Sequence, residues 1–261
     1  MNRLFLPIAL SAALLATAIP FTSHATQESG PSKAAIAAGD AYLRALAAAG
    51  DAYSQRDFAK ALEKLDIADQ IAPNIPDTWS MRGAIYAEQH AYEKAEDAFE
   101  KEGKLLPGDF WPQYNAAELL LMEKKYAQAA AEFQGLVVYA GHEELVEFKV
   151  VYADLLQGNA SAAKPVLDSM KFPSDSPAYY FAQAAWAFAH QDEKHGTYWV
   201  DAGLKVFGLQ KCLAFYDALA RAKWVAMRNA DGSVPASEQL PISLDGGRAS
   251  DLSAPEAGAT P

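Results

Sequence analysis

A single cysteine, Cys212, leaves this chain of 261 residues without an internal disulfide. An oxidising compartment would permit such bonds, yet the fold must be held by packing alone. Cys212 sits on an apolar helical stripe and reads as a small buried hydrophobe, with an intermolecular bridge as the alternative. Basic charge is also scarce: 22 Lys plus Arg stand against 33 Asp plus Glu, a formal net charge of −11. That balance lacks the electrostatic footprint for nucleic acid and would be repelled by anionic lipid. Catalytic motifs are missing too. There is no H-E-x-x-H, no phosphate-binding glycine loop and no G-x-S-x-G. Metal-ligating residue types gather at His142-Glu143-Glu144 with Glu147, and His190 lies near His195. Catalytic zinc needs three ligands in fixed geometry and an open position, and nothing in the sequence fixes a third. The expectation is therefore no enzyme, no metal and no cofactor, with a metal-dependent enzyme as a remote alternative.

Long apolar runs are confined to the N-terminus. Arg3 precedes an apolar stretch over residues 4–19, then Pro20 and the small-residue site Ser23-His24-Ala25. That order is the pattern of a secretory signal peptide, with cleavage expected after Ala25 and a linker over 26–32. A membrane anchor is the competing reading, but a span needs roughly 20 apolar residues and this run is shorter and holds Pro7. An uncleaved leader would tether the same domain by its N-terminus. Removing residues 1–25 removes only Arg3 among the charges, so the balance becomes 21 − 33 = −12. The expected location is periplasmic or secreted, with no membrane insertion once the leader is gone.

A regular repeat runs through the rest. Phe58 is followed at one fixed spacing by Tyr92 and Tyr126. At the same spacing Ala61 is followed by Ala95, Ala129 and Ala163; Leu65 by Phe99, Phe133 and Leu167; Pro73 by Pro107. The fullest copy carries Trp79, Arg82-Gly83, Tyr86, Ala95, Phe99 and Pro107. Residue types and period together resemble the tetratricopeptide repeat family, whose signature is W-x2-L-G-x2-Y, A-x3-F and P over about 34 residues. One position departs from it, Arg82 standing for the leucine. The resemblance is close over 42–177 and looser over 178–208.

Apolar residues recurring every three or four positions predict helix pairs at 33–54 and 58–71, 77–88 and 92–105, 111–123 and 126–139, 143–156 and 162–170, and 178–190 and 193–206. Pro73 and Pro107 stop the second helices of their copies, and Ser176-Pro177 opens the fifth copy. That copy is atypical, with Lys194 and Asp201 where larger apolar residues are expected. Deleting one residue in its turn restores Val200 and Gly203 to core positions. A further stripe of Leu209, Cys212, Leu213, Tyr216, Leu219 and Met227 predicts a capping helix over 209–227. The fold expected is all-α: a right-handed superhelical solenoid of about five helix pairs over 33–228. Residues 229–261, rich in Gly, Pro, Ser and Ala, read as a disordered tail. Leu240-Pro241-Ile242-Ser243-Leu244 is a candidate docking segment within it.

In proteins of this resemblance the first helix of each repeat lines a concave groove. The resemblance implies a partner-binding face that includes Trp111, Tyr114, Glu118, Met122, Phe148, Tyr152, Tyr179 and Trp186, aromatic with a few carboxylates. Aromatic residues anchor many binding hot spots, and Glu88 or Glu118 could meet a basic residue. A compact superhelix or the C-terminal helix could instead bury these side chains. Some family members clamp a partner's terminal carboxylate with groove lysines, arginine and asparagines; here Asn115 alone matches such a position. The expected function is a non-enzymatic adaptor or scaffold of the bacterial envelope that binds an apolar or basic protein or peptide. The alternative is a structural subunit of a larger envelope assembly, with the tail docking.

Overall fold

The computed structural model describes residues 33–226, with side chains from residue 37 onward. The leader, the 26–32 linker and the tail from 229 lie outside the described residues. Ten α-helices and one short 3-10 turn make up the described chain, in antiparallel pairs. The helices are α1 (Lys33–Ser54), α2 (Phe58–Ile71), α3 (Pro76–Glu88), α4 (Tyr92–Leu105), α5 (Phe110–Met122), α6 (Tyr126–Gly135), α7 (Glu143–Leu156), α8 (Ala160–Ser169), α9 (Ala178–Ala189) and α10 (Glu193–Arg221). Their order and pairing make an all-α solenoid. Four of the expected helix ranges are met residue for residue: α1, α2, α4 and α7.

The repeat is written in the backbone as well as in the side chains. Between the two helices of successive pairs one residue adopts left-handed φ: Arg56, His90, Lys124 and Gly158, each a full repeat length after the last, and then Gln191. The final step is one residue shorter, so the fifth pair has lost one turn residue, as its sequence register requires. The next residue opens the second helix. Asp57, Asn159 and Asp192 there accept a hydrogen bond from the backbone N–H three residues on, which satisfies one of the unpaired donors of the helix start.

Small residues sit where helices cross. A Cβ on Gly83 would strike the Phe99 ring, and one on Gly196 would strike Phe188. Ala61, Ala95, Ala129 and Ala163, one per repeat, are all fully buried. Phe99 and Phe133 fill the space beside them. Arg82, the departure from the repeat signature, reaches from α3 to α2, where Asp66 and Asp69 each accept from its Nη2 at 2.7 Å. An ion-pair link between adjacent helices thus replaces an apolar one. The second helix of the third copy is shorter than expected: α6 stops at Gly135 and a 3-10 turn carries Leu136–Val138.

The C-terminal end differs most from a bare capping helix. The chain after the fifth pair continues as α10, interrupted at Gly208 by φ 76° and ψ 160°, a backbone conformation open to glycine. The segment 209–221 beyond that break is sunk into the molecule. Cys212, Leu213, Phe215, Tyr216 and Leu219 are all buried. Most of them share one cluster with Phe148, Val151 and Tyr152 of α7 and Phe181 and Ala185 of α9. Helix 209–221 ends six residues short of the expected 227 and turns at Ala222.

Candidate partner-binding face

The first helices α3, α5 and α7 present the side chains from which a concave binding face would be built. Here 209–221 lies against α7 and α9 and reaches the end of α3 through Arg221. Phe215 meets Phe148 at 5.0 Å between ring centres and Phe181 at 5.7 Å. The Tyr152 hydroxyl donates to the Ala218 carbonyl at 2.6 Å. Trp224, just past the helix, stands edge-on to Tyr152 at 5.9 Å. Burial, and after it the charge of Glu118, pushes the Tyr152 hydroxyl well above the usual tyrosine range.

Charges are drawn into the same place. Glu88, at the end of α3, is buried, and its two oxygens take Arg221 at 2.7 Å and Arg56 at 3.2 Å. Arg221 also holds Asp217 one turn earlier on its own helix. This ion pair joins the last described helix to the second repeat, 133 residues away in sequence. Tyr53 lies beside it, its hydroxyl pushed upward by burial first and by the Glu88 charge second. Deeper toward α7, Lys149 is 4% exposed and pairs with Glu118 at 2.7 Å. Its ammonium lies 5.7–5.9 Å from the ring centres of Tyr114, Phe148 and Tyr152, in range for a cation–π contribution.

The eight expected face residues therefore divide. Phe148 and Tyr152 lie beneath 209–221, and Tyr114 is buried against Phe110 and Phe133. These three do not line an open groove in this structure, because the chain's own apolar packing removes them from water. Glu118, Met122 and Trp111 keep partial access. Trp111 packs in a ring set with Phe110, Tyr114 and His142. Tyr179 and Trp186 are placed elsewhere. Tyr179 faces Phe172 and Trp199, while Trp186 lies under the Lys164 ammonium of α8 and against His190. Of the eight, the tertiary packing takes Tyr114, Phe148 and Tyr152 out of contact with water.

Asn115 is fully buried and turned between repeats. Its amide donates to Ser80 Oγ at 3.1 Å and to Glu102 Oε2 at 3.2 Å. Burial pushes the Glu102 carboxyl up to about 7. This polar knot ties α3, α4 and α5 together. Most of the residues with metal-ligating side chains are otherwise engaged. His142 stacks on Phe110 at 3.9 Å, Glu143 accepts from the Gly141 N–H, and Glu144 accepts from Ser174 and Ser176. His195 meets Asp192 at 2.6 Å. Among the described residues no group of three or more His, Cys, Asp or Glu is placed to hold a metal ion, and no helix is long and apolar enough to cross a membrane.

Sequence reasoning missed Arg56, Lys149 and Arg221 as part of this region. Lys149 falls between the expected face positions, Arg56 lies in the α1–α2 turn, and Arg221 is brought in only by the path of the last helix. A carboxylate at an expected face position in each of two first helices, Glu88 and Glu118, was the one signal that cations should be sought nearby.

Neither a protein-family model nor a curated protein matches the chain by sequence. A solved structure described as the functional characterization of Pseudomonas aeruginosa pilF is similar to it in fold. The TM-score is 0.50 at 13% identity, over 71% of this chain and 93% of that one. At that identity the likeness speaks for the fold alone, and it agrees with a solenoid of tetratricopeptide type.

Proposed function

We propose that this protein is a non-enzymatic, protein-binding scaffold of the bacterial cell envelope, and that it takes a basic or apolar segment of its partner on the concave side of the solenoid. The observation that carries this reading is the seat of Arg221 on Glu88 beside the Phe148–Tyr152 rings. It displays the chemistry the face selects: a helix with aromatic side chains and a cation for a buried carboxylate. A partner would enter along the part that 209–221 leaves accessible, at Trp111, Glu118 and Met122. The tetratricopeptide-type solenoid supports protein binding in general, and the leader-like N-terminus supports export to the periplasm or beyond.

A photo-crosslinking residue placed at Met122 in cells tests the face. A discrete protein adduct is expected, and it should disappear when Trp111 and Glu118 are both replaced by alanine. No adduct, or an adduct indifferent to those replacements in a folded protein, would sink the groove reading. For the envelope part, the N-terminus of the mature protein should begin at Thr26 in the exported fraction; an intact Met1 in the cytoplasm argues against it.

A second reading is favoured by one specific observation, that the chain's own helix covers Phe148 and Tyr152 of the expected face. On this reading the repeats are structural, and the protein is a subunit of a larger envelope assembly with its tail docking. Truncation after Arg228 separates the two. Partner capture lost with the tail favours the subunit, and capture retained favours the scaffold.

A further inference from the structure

Six aromatic rings form a connected patch near the C-terminal end of the described solenoid. Phe172 lies in the α8–α9 connection, Tyr179 and Tyr180 open α9, and Tyr198, Trp199 and Phe207 belong to the first part of α10. Phe172 touches Tyr179 and Tyr180 at 4.9 and 5.9 Å between ring centres, and both tyrosines meet Trp199, at 5.8 and 5.9 Å. Tyr180 also meets Phe207 at 5.7 Å, and Tyr198 meets Trp199 at 5.5 Å. The inner rings pack on the core. The outer ones do not: Phe172 is 58% exposed and Tyr198 40%, and Val206, next to Phe207, is 60% exposed. Single exposed apolar residues need no explanation, but a joined aromatic surface marks an interaction site.

We propose that this aromatic platform is the docking site for the chain's own segment Leu240-Pro241-Ile242-Ser243-Leu244. After Ala226 the sequence runs for 35 residues (261 − 226), and its large aliphatic side chains are Met227, Val234, Leu240, Ile242, Leu244 and Leu252. Three of those six fall within 240–244, at alternate positions. In an extended backbone alternate residues share one side, so all three can meet the rings together. Pro241 limits the conformations open to itself and to Leu240, which lowers the entropy lost on docking. Aromatic-lined surfaces take proline-containing extended segments for that reason. Charge agrees as well. Glu238 and Asp245 flank the segment, and exposed Lys171 and Lys205 stand next to Phe172 and Val206 in the chain.

The tether is long enough. The Ala226 carbonyl accepts from the Tyr216 hydroxyl at 3.0 Å, which fixes where the described chain ends. Tyr216 is eight residues beyond Gly208, roughly 12 Å at a helical rise, and Phe207 adjoins Gly208, about 4 Å away. The 14 residues from 226 to 240 can span about 46 Å. A tether of this length also sets an effective concentration on the order of millimolar. Contacts of modest strength would then keep the segment in place. This inference goes beyond the scaffold reading and does not depend on it.

The test uses the full chain and a Leu240→Asp/Ile242→Asp double variant. The probe is a fluorescent peptide with the sequence of residues 236–247. With the intramolecular segment disabled, the peptide should bind the double variant at least about 10-fold more tightly than the wild type. Adding Phe172→Ala and Tyr198→Ala, both at exposed positions, should abolish that gain with the helical circular dichroism unchanged. Amides of 171–180 and 198–207 should also exchange at least about threefold faster in the double variant than in the wild type. Equal binding to both proteins, no binding to either, or binding indifferent to Phe172 and Tyr198 overturns the proposal. So does a dimer by light scattering that Phe172→Asp disperses while the peptide has no effect, because a second copy would then be the occupant.

Discussion

Glu102 shows at the scale of one residue how burial becomes a measurable property. Its carboxyl is buried between α4 and α5, and burial raises its pKa from the ordinary 4.5 to about 7. The folded state thus holds its proton more tightly than the unfolded chain. Stability from this group is fully present below about pH 4.5 and is lost as pH rises toward 7 and past it. Glu102→Gln keeps the shape and an acceptor for Asn115 without a charge to bury. The variant should gain on the order of 2 kcal/mol over the wild type at pH 8 and almost nothing at pH 4. Urea unfolding at the two pH values checks this, and an equal effect at both would refute it. Cys212 is the quieter case. Buried, with its sulfur 3.5 Å from the Gly203 carbonyl, its thiol is pushed up to about 11. It behaves as the small hydrophobe that its place on the stripe suggests.

At the scale of the element, each helix pair depends on the small residue at its crossing. Gly83 lets α3 approach α4 until the Phe99 ring occupies the volume a Cβ would need. Gly83→Ala improves local helix propensity by up to about 1 kcal/mol, but overpacking costs typically about 1–3 kcal/mol. Since the obstacle is a buried ring at the crossing, the second effect should win. A net loss of about 1–2 kcal/mol is expected, and Phe99→Leu in the same chain should recover part of it. Thermal unfolding of the two single variants and the double variant tests the pair. A fully additive double variant would mean that the contact is not what limits the crossing. The turns follow the same logic. Left-handed φ recurs at Arg56, His90 and Lys124, where glycine would cost less backbone strain. Arg56 is kept at that position by its ion pair with Glu88; nothing in the structure explains the choice of Lys124.

The whole molecule is set by where 209–221 goes. A solenoid is stabilised mainly by neighbour-to-neighbour contacts, yet Arg221 closes a link to Glu88 across three repeats. Burial of Leu213, Phe215, Tyr216 and Leu219, at roughly 1.5–3 kcal/mol each, makes that helix part of the core. Its amides should therefore exchange together with those of α7 and α9, within about tenfold, and more slowly than those at the start of α1. Native-state hydrogen exchange decides this. Much faster exchange over 209–221 alone would show that the segment opens by itself, and a partner could then reach the Phe148–Tyr152 surface without unfolding the C-terminal repeats.

Sequence alone determined the repeat, because a constant period fixes which residue types return at each crossing and turn, and those are local demands. Even the missing turn residue of the fifth copy was legible, since Val200 and Gly203 regain core positions only after that deletion, and the left-handed residue duly falls at Gln191 rather than one position later. The binding face was legible only in its ingredients. Tyr114, Phe148 and Tyr152 look the same in sequence whether they line a groove or a core, as helical periodicity marks an apolar side without saying what covers it. Tertiary structure decided that question through the break at Gly208. Past it, 209–221 folds back onto α7 and α9, covers their aromatic side chains and carries Arg221 to Glu88. A contact between residues so distant in the chain has no period to announce it.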